Sequence, residues 1–141
     1  MLVICCVDDA MGMLFNHRRQ SRDRAVRAAV KALAEGRPLW MNAYSAAQFP
    51  AGELPDGALV DEDFLNKAQP EAFCFVENTD ITPYLDKITA VVLFRWNRAY
   101  PSDVKFPFPL SAPWRLSCKE DFAGYSHEKI TKEVYTREKD C

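Results

Sequence analysis

Apolar residues are concentrated in short continuous runs along the chain, and polar segments separate these runs. The first run, residues 2–7, is apolar throughout. A strand with apolar residues on both faces is typical of a parallel sheet that helices cover. Similar runs predict further strands at residues 38–44, 58–60, 72–77 and 89–96. The pattern therefore predicts a mainly parallel central sheet.

The segment between the first two runs has the periodicity of an amphipathic helix. Val26, Val30 and Leu33 recur at i, i+4 and i+7, which places them on one face. We expect a helix over residues 22–35, with Ser21 as its N-cap. Start signals of the same kind predict three short helices. The first covers residues 45–49 with Ser45 as its cap, the second covers residues 62–68 with Asp61 as its cap, and the third covers residues 82–86 and begins at Thr82.

The last part of the chain contains two polar, strand-like segments with a short turn between them. Residues 114–122 and 127–137 flank the sequence AGYS, which predicts an antiparallel hairpin. The second segment carries Glu128, Lys129 and Lys132, and such charges suit a strand at a sheet edge. We therefore expect an α/β three-layer sandwich, with a mainly parallel central sheet and a C-terminal antiparallel hairpin.

Composition places the chain among ordinary globular domains. Its 141 residues are 48% hydrophobic and 27% charged, which fits one domain over residues 1–141. No apolar run approaches the ~20 residues that a membrane helix needs, so we expect no membrane contact. The start lacks the features of a signal peptide, and the five cysteines are an odd number. We expect a cytoplasmic protein with reduced thiols.

The chain has two histidines, His17 and His127. They lie far apart and no Cys-x-x-Cys pair accompanies them, so we expect no metal site. The same count argues against ribonuclease Z, a name that sequences of this type carry. The chemistry of that enzyme requires a His-x-His-x-Asp-His cluster that holds two zinc ions. We expect His127 to lie on the surface of the last strand.

Positive charge is concentrated in residues 15–24, FNHRRQSRDR, within a chain whose formal net charge is -2. Guanidinium groups beside the free N–H groups of a helix start suit a phosphate or a carboxylate. This hypothesis predicts an anion pocket formed by Asn16, His17, Arg18, Arg19, Arg22 and Asp23. The alternative is a solvated loop whose arginines pair with Asp8, Asp9 and Asp23.

Three residues near this segment are candidates for a catalytic role: His17, Asp8 and Asp23. The arginines around Asp23 should lower its pKa, which suits a fixed anion rather than a proton donor. His17 has the pKa range of a general acid or base, with Asp8 or Asp9 to orient it. The alternative is a loop histidine without a chemical role. Nucleic acid is a weaker candidate ligand, because a sequence pI of about 5.7 leaves no extended positive surface.

Four stretches of the sequence resemble the dihydrofolate reductase family. They are VICCVDDAMGML, GRPLWMNAYS, FCFVENTDITPYLDKITAVVLFRWN and KFPFPLSAPWRLSCKEDFAGYSHEKITKEVYTR. Together they cover most of the chain, from the family's first strand and loop to its closing hairpin. The resemblance implies the family's fold and a reductase that uses NADPH. It also implies that Asp23 corresponds to the carboxylate with which the family holds the substrate's pterin ring.

The sequence departs from the family where the diphosphate of the cofactor would lie. The family has a Gly-Gly turn there, because glycine lets a phosphate approach the backbone. This chain has Glu77 and Asn78 instead, followed by Asp80, and Asn42-Ala43 replaces the family's Gly-Arg pair. We therefore disfavour NADPH and expect no cofactor.

These observations favour a protein that binds a small anionic or nucleotide-like ligand at the arginine-rich loop after the first strand. Two alternatives stay open. One is a reductase related to dihydrofolate reductase that holds NAD(P)H differently. The other is a partner-binding module without enzymatic activity. None of the three requires a particular oligomeric state.

Overall fold

A seven-stranded mixed sheet forms the centre of the protein. The computed structural model describes residues 1–50, 52–54, 57–108 and 113–137. The strands are β1 Leu2–Val7, β2 Gly12–Phe15, β3 Arg18–Arg19, β4 Leu39–Met41, β5 Leu59–Val60, β6 Phe73–Phe75, β7 Ala90–Arg95, β8 Val104–Lys105, β9 Trp114–Phe122 and β10 Ile130–Arg137. The helices are α1 Arg24–Leu33, α2 Ala43–Ala46 and α3 Phe64–Lys67, and a 3₁₀ helix covers Thr82–Lys87.

The strand order of the large sheet is β5–β4–β6–β1–β7–β10–β9. The strands from β5 to β7 in this order are parallel to one another. β10 pairs with β7 antiparallel, and β9 pairs with β10 antiparallel at the edge. This arrangement confirms the predicted α/β class, the mainly parallel central sheet and the C-terminal antiparallel hairpin.

The side chains of the sheet belong to two cores, one on each face. In β1, Ile4 packs into the same core as Val26 and Val30 of α1. The adjacent Val3 belongs to the other core, together with Phe64 of α3. The predicted apolar stripe of α1 thus covers one face, while α3 and extended segments cover the other. Among the described residues, no helix has the length and apolar character that a membrane crossing requires.

Residues 8–20, which the sequence predicts to be a loop, contain part of a second, smaller sheet. Its strand order is β3–β2–β8. Asn16 and His17 connect β2 to β3 with φ angles of 52° and 63°. Positive φ at both positions gives the turn a twist that matches the two strands, and Asn tolerates it. The loop prediction was wrong because β8, from a distant part of the chain, completes the pairing.

The N-caps of all three α-helices differ from the sequence prediction, and that of α3 is Asp63 instead of Asp61. The N-cap of α1 is Asp23, and Ser21 lies outside the helix. The N-cap of α2 is Asn42, whose Oδ1 accepts a hydrogen bond of 3.0 Å from the N–H of Ser45. Ser45 therefore lies inside the turn that it was predicted to start. For α1 and α2, an Asp or Asn side chain was available nearby, and both are strong caps.

The sheet edge also differs from the prediction. β10 is an internal strand, and the exposed edge is β9, whose residues 115–121 are exposed. Glu128 and Lys129 precede β10 and do not belong to it. The prolines and glycines of residues 50–57 predict a loop, and the prolines of residues 97–113 predict a long connection; both segments lie partly outside the described residues.

Candidate functional site

Polar side chains meet where the parallel strands end. Asp8 directly follows β1, Asn42 directly follows β4, and Glu77 lies two residues beyond β6. The carboxyl ends of parallel strands lie on the same side of a sheet, and ligand sites of α/β proteins occur there. This end of the sheet is therefore the place to look for a site.

Arg19 and Glu77 form a two-point ion pair at this end of the sheet. Arg19 Nε lies 2.8 Å from Glu77 Oε2, and Nη2 lies 3.2 Å from Oε1. Gln48 Nε2 donates a further hydrogen bond of 2.8 Å to Glu77 Oε2. The Glu77 side chain is 7% exposed and that of Arg19 is 21% exposed. Glu77 is thus a buried carboxylate with two protein donors.

Tyr44 holds the other side of Arg19. The backbone N–H of Arg19 donates to the Tyr44 hydroxyl at 2.8 Å, and Nη2 donates to the Tyr44 carbonyl at 3.1 Å. The guanidinium also lies 4.3 Å from the centre of the Tyr44 ring, a cation–π distance. We call Arg19, Tyr44, Gln48 and Glu77 the strand-end cluster. It ties β3 to α2 and to the end of β6.

Asn42 and Asn78 meet beside the strand-end cluster. Asn42 Nδ2 donates a hydrogen bond of 2.7 Å to Asn78 Oδ1. The resemblance to dihydrofolate reductases places the family's phosphate-binding glycines at positions 42, 77 and 78. In this chain those positions carry side chains that hydrogen-bond to each other or to Arg19.

A pocket of about 460 Å³ opens beside the turn between β2 and β3, and we call it the hairpin pocket. Its walls are Phe15, Asn16, Arg18, Arg19, Gln20, Tyr100 and Pro101. Arg18 is exposed. Within the described part of the chain, no acidic side chain lies at ion-pair distance from Arg18. Asp103 borders the same wall, and its Oδ2 accepts a hydrogen bond of 3.1 Å from the Asn16 N–H.

Asp8 stabilises two walls of the hairpin pocket through hydrogen bonds. Its Oδ1 accepts hydrogen bonds from the N–H groups of Ala10 and Gly12, at 2.9 and 2.7 Å. Its Oδ2 accepts from Gln20 Nε2 and from the Tyr100 N–H, at 3.2 and 3.1 Å. Burial alone raises the pKa of Asp8, but these hydrogen bonds lower it overall. Asp8 is therefore a fixed anion that holds two walls of the pocket.

His17 lies exposed at the turn between β2 and β3. No hydrogen bond joins it to Asp8 or Asp9 in the described residues, and both Asp8 oxygens accept from other groups. The predicted pairing of His17 with an orienting aspartate was therefore wrong. The hairpin, which the sequence analysis did not foresee, positions His17 instead.

Asp23 is almost fully buried, and both of its oxygens accept hydrogen bonds from the protein. Oδ1 accepts from the N–H groups of Ala25 and Tyr125, at 2.8 and 2.9 Å. Oδ2 accepts from the N–H of Ser126 at 2.8 Å and from His127 Nδ1 at 2.9 Å. Burial raises the pKa of Asp23, but the Tyr125 N–H, His127 and the other donors bring it well below its ordinary value.

His127 completes a network with Asp23. Its Nε2 lies 3.1 Å from Ser21 Oγ and 2.9 Å from the Tyr100 hydroxyl. The ring stacks on Trp96, with 4.6 Å between the ring centres. We call Ser21, Asp23, Tyr100 and His127 the histidine network. The expectation of a surface histidine was wrong, because His127 is only 5% exposed.

Gly124 allows this network to close. A Cβ atom at this position would lie 2.5 Å from the His127 carbonyl oxygen and 3.0 Å from Asp23 Oδ2. Any larger residue would therefore push the turn before β10 away from Asp23. The glycine in the sequence AGYSH is the one local signal of this close approach.

Two arginines of α1, Arg24 and Arg27, have Glu53 as their acidic partner. Arg27 Nε lies 3.0 Å from Glu53 Oε2, and Arg24 Nε lies 3.9 Å from Glu53 Oε1. Arg22, like Arg18, is exposed. The alternative hypothesis of pairs with Asp8, Asp9 and Asp23 therefore named the wrong acids, since the observed partners are Glu77 and Glu53.

The cysteines give no sign of a metal or redox site. Cys5, Cys6, Cys74 and Cys118 are free thiols, while Cys141 lies outside the described residues. Burial raises the pKa of Cys5 and Cys6, and that of Cys74 to about 12. Thiols with raised pKa values are poor nucleophiles. Among the described residues, no group of three or more His, Cys, Asp or Glu side chains is placed to hold a metal ion.

Comparison with known proteins found a match in structure alone. No family model and no curated protein sequence matches the chain. A solved structure of dihydrofolate reductase from Enterococcus faecalis, complexed with NADP(H) and RAB-propyl, superimposes with a TM-score of 0.71. The match covers 98% of this chain and 96% of that chain at 11% sequence identity. The chain therefore has a dihydrofolate reductase-like fold.

Proposed function

We propose that the protein binds a small anionic, nucleotide-like ligand in the hairpin pocket. The observation that carries this proposal is Arg18, an exposed guanidinium in the wall of a pocket of about 460 Å³, without an acidic partner among the described residues. Guanidinium groups bind phosphates and carboxylates through paired N–H donors. The volume suits a ligand of the size of a nucleoside monophosphate.

The other walls of the pocket favour a ligand that also carries a flat ring. Phe15 is 43% exposed, and the Tyr100 ring and Pro101 line the same space. Aromatic faces of this kind stack on heterocyclic bases. Gln20 and Asn16 add polar groups beside them. Ring stacking and ion pairing together give the pocket a preference for an aromatic anion over a plain inorganic one.

The rigidity of the pocket supports the same proposal. Asp8 fixes Gln20 and the backbone of Tyr100, and the strand-end cluster fixes Arg19. A pocket whose walls are already ordered loses less entropy when a ligand binds.

Replacing Arg18 with Ala is expected to weaken the binding of such a ligand about tenfold or more, because a charged hydrogen bond is lost. A thermal-shift screen of nucleoside monophosphates, pterins and sugar phosphates identifies the best ligand, and isothermal titration measures its affinity. The matched control is Arg115→Ala on β9, an exposed arginine at the far edge of the sheet. Equal affinities of the wild type and Arg18→Ala would contradict the proposal.

A reductase is the second candidate, and the structural match to a dihydrofolate reductase with NADP(H) favours it. Against it, the residues present do not fit a diphosphate at the end of β6. Glu77 places a buried negative charge there, and the Asn42–Asn78 hydrogen bond occupies the space between the strand ends. We derive no reaction step through this cofactor.

A titration with NADPH separates the two candidates. If the reductase hypothesis is wrong, NADPH up to about millimolar concentration should change the tryptophan fluorescence only by binding in the hairpin pocket. Arg18→Ala should abolish that change. Trp96 and Trp40 are suitable reporters. Saturable binding that survives Arg18→Ala would favour the reductase, because the cofactor would then lie outside the hairpin pocket.

A further inference from the structure

The histidine network contains the chain of contacts that activates a serine nucleophile. Ser21 Oγ lies 3.1 Å from His127 Nε2, and His127 Nδ1 lies 2.9 Å from Asp23 Oδ2. We propose that Ser21 is a nucleophile, with His127 as its general base and Asp23 as the residue that orients His127. The substrate class is a carboxylic ester whose acyl part carries a negative charge.

Asp23 determines which ring nitrogen of His127 is the base. The backbone N–H groups of Tyr125 and Ser126 keep the carboxylate ionised, so its Oδ2 accepts a hydrogen bond from a proton that stays on Nδ1 of His127. The lone pair of Nε2 then faces the hydroxyl groups of Ser21 and Tyr100. This is the tautomer that a base needs in order to take a proton from a serine.

Tyr100 adds a second hydroxyl to the same nitrogen. Its oxygen lies 2.9 Å from His127 Nε2. A neutral imidazole nitrogen has one in-plane lone pair, so the hydroxyls of Ser21 and Tyr100 compete for it. Once Nε2 has taken the proton of Ser21, the Tyr100 oxygen accepts a hydrogen bond from the new N–H. Tyr100 thereby stabilises the imidazolium that the reaction forms.

The nucleophile lies next to the proposed ligand. Gln20, which directly precedes Ser21, lines the hairpin pocket, and so does Tyr100. Ser21 is partly exposed, whereas Asp23 and His127 are buried. An accessible nucleophile with a buried base and a buried orienting acid is the arrangement that acyl transfer requires.

The reaction balances with water as the second reactant. Ser21 Oγ forms a bond to the ester carbonyl carbon while its proton moves to His127 Nε2. The C–O bond of the ester then breaks, and the alcohol leaves with that proton. Water attacks the acyl-serine and passes a proton to His127. The bond between Ser21 Oγ and the acyl carbon then breaks, His127 returns the proton to Oγ, and the carboxylic acid leaves. The inference that the substrate is negatively charged rests on the proposed function, whereas the inference that Ser21 is reactive does not.

A fluorophosphonate probe tests the nucleophile directly. We expect one covalent adduct on the wild type by intact mass, mapped to Ser21 by peptide analysis. Hydrolysis of 4-nitrophenyl acetate should fall by about 100-fold or more in Ser21→Ala. The matched control is Ser117→Ala on β9, whose hydroxyl donates to the Val134 carbonyl outside the network. This control should keep both the adduct and the rate.

Further variants separate a chemical role from a structural one. His127→Gln should form no adduct. If this variant fails to fold, Tyr100→Phe, which keeps the aromatic ring, provides a second test: its hydrolysis rate should be lower and its pH profile altered. A folded wild type that takes no adduct, or takes it at Ser126, overturns the proposal. So does a Ser21→Ala variant with an unchanged hydrolysis rate.

The charge preference is measured separately with 4-nitrophenyl hemisuccinate and 4-nitrophenyl acetate. We expect Arg18→Ala to lower kcat/KM for the hemisuccinate about tenfold while the adduct at Ser21 remains. An adduct at Ser21 without any preference for the charged ester would contradict the proposed anion pocket alone. Anion binding that depends on Arg18, without an adduct, would contradict the nucleophile alone.

Discussion

Replacing Asp23 with Asn is expected to lower the free energy of unfolding by about 3–5 kcal/mol, because each buried donor left without an acceptor costs about 1–3 kcal/mol. The variant keeps the shape of the side chain, but an amide nitrogen cannot accept a hydrogen bond. Two N–H donors point at Oδ1, from Ala25 and Tyr125, and three point at Oδ2, from the backbone of Ser126 and from the backbone and Nδ1 of His127. Either orientation of the amide therefore leaves buried donors without an acceptor.

Urea unfolding measures this loss as a lower midpoint with an unchanged slope. The matched control is Asp9→Asn, an exposed aspartate that should change the stability by less than about 0.5 kcal/mol. A loss in Asp23→Asn as small as that of the control would show that the hydrogen bonds to Asp23 contribute little to folding.

The pH dependence of stability follows from the same residue. The pKa of Asp23 in the folded protein lies below its value in the unfolded chain, which is about 3.9. The unfolded state therefore binds a proton first as the pH falls, and the stabilisation present above about pH 4 is lost below it. We expect the wild type to lose stability steeply over this acidic range and Asp23→Asn to lose less.

Replacing Glu77 with Ala is expected to lower the free energy of unfolding by about 3 kcal/mol, because the mostly buried guanidinium of Arg19 then has no carboxylate partner. Gln48 loses its acceptor as well. The double variant Arg19→Met, Glu77→Leu should recover much of this loss, since apolar groups of similar volume replace a buried pair at little cost. The loss in the single variant would then come from the unpaired charge.

Thermal and urea unfolding of both variants measure this difference. The matched control is Arg24→Ala, whose side chain is 63% exposed and lies 3.9 Å from Glu53. We expect a change below about 1 kcal/mol for it. If Glu77→Ala behaves like this control, the strand-end cluster is not important for stability.

The sequence predicted the fold well where one local pattern determines one element. The apolar runs of β1 and β7 and the stripe of Val26 and Val30 in α1 need only their own periodicity to be recognised. The hairpin of β9 and β10 followed from the succession of such elements, whereas the order of the strands in the sheet, with β10 inside it, did not. The pairing of β2 with β8 was missed because their segments are short and far apart in the chain.

The site was predicted less well, because its contacts join residues that are distant in sequence. The arginine segment was recognised as important, but the partner of Arg19 is Glu77 and not a nearby aspartate. Asp23 was recognised as a fixed anion, whereas the pairing with His127 was not foreseen. No periodicity or spacing relates these residues, and only the folded sheet brings them together.

The central position of β1 affects the order in which the protein acquires its structure. β1 lies between β6 and β7, so its backbone partners are supplied by residues 73–95, long after β1 itself has been synthesised. Closing loops of that length slows folding, and until then the apolar segment stays open to other chains. We therefore expect folding to complete only after translation has passed β7, with chaperones protecting the nascent chain before that point.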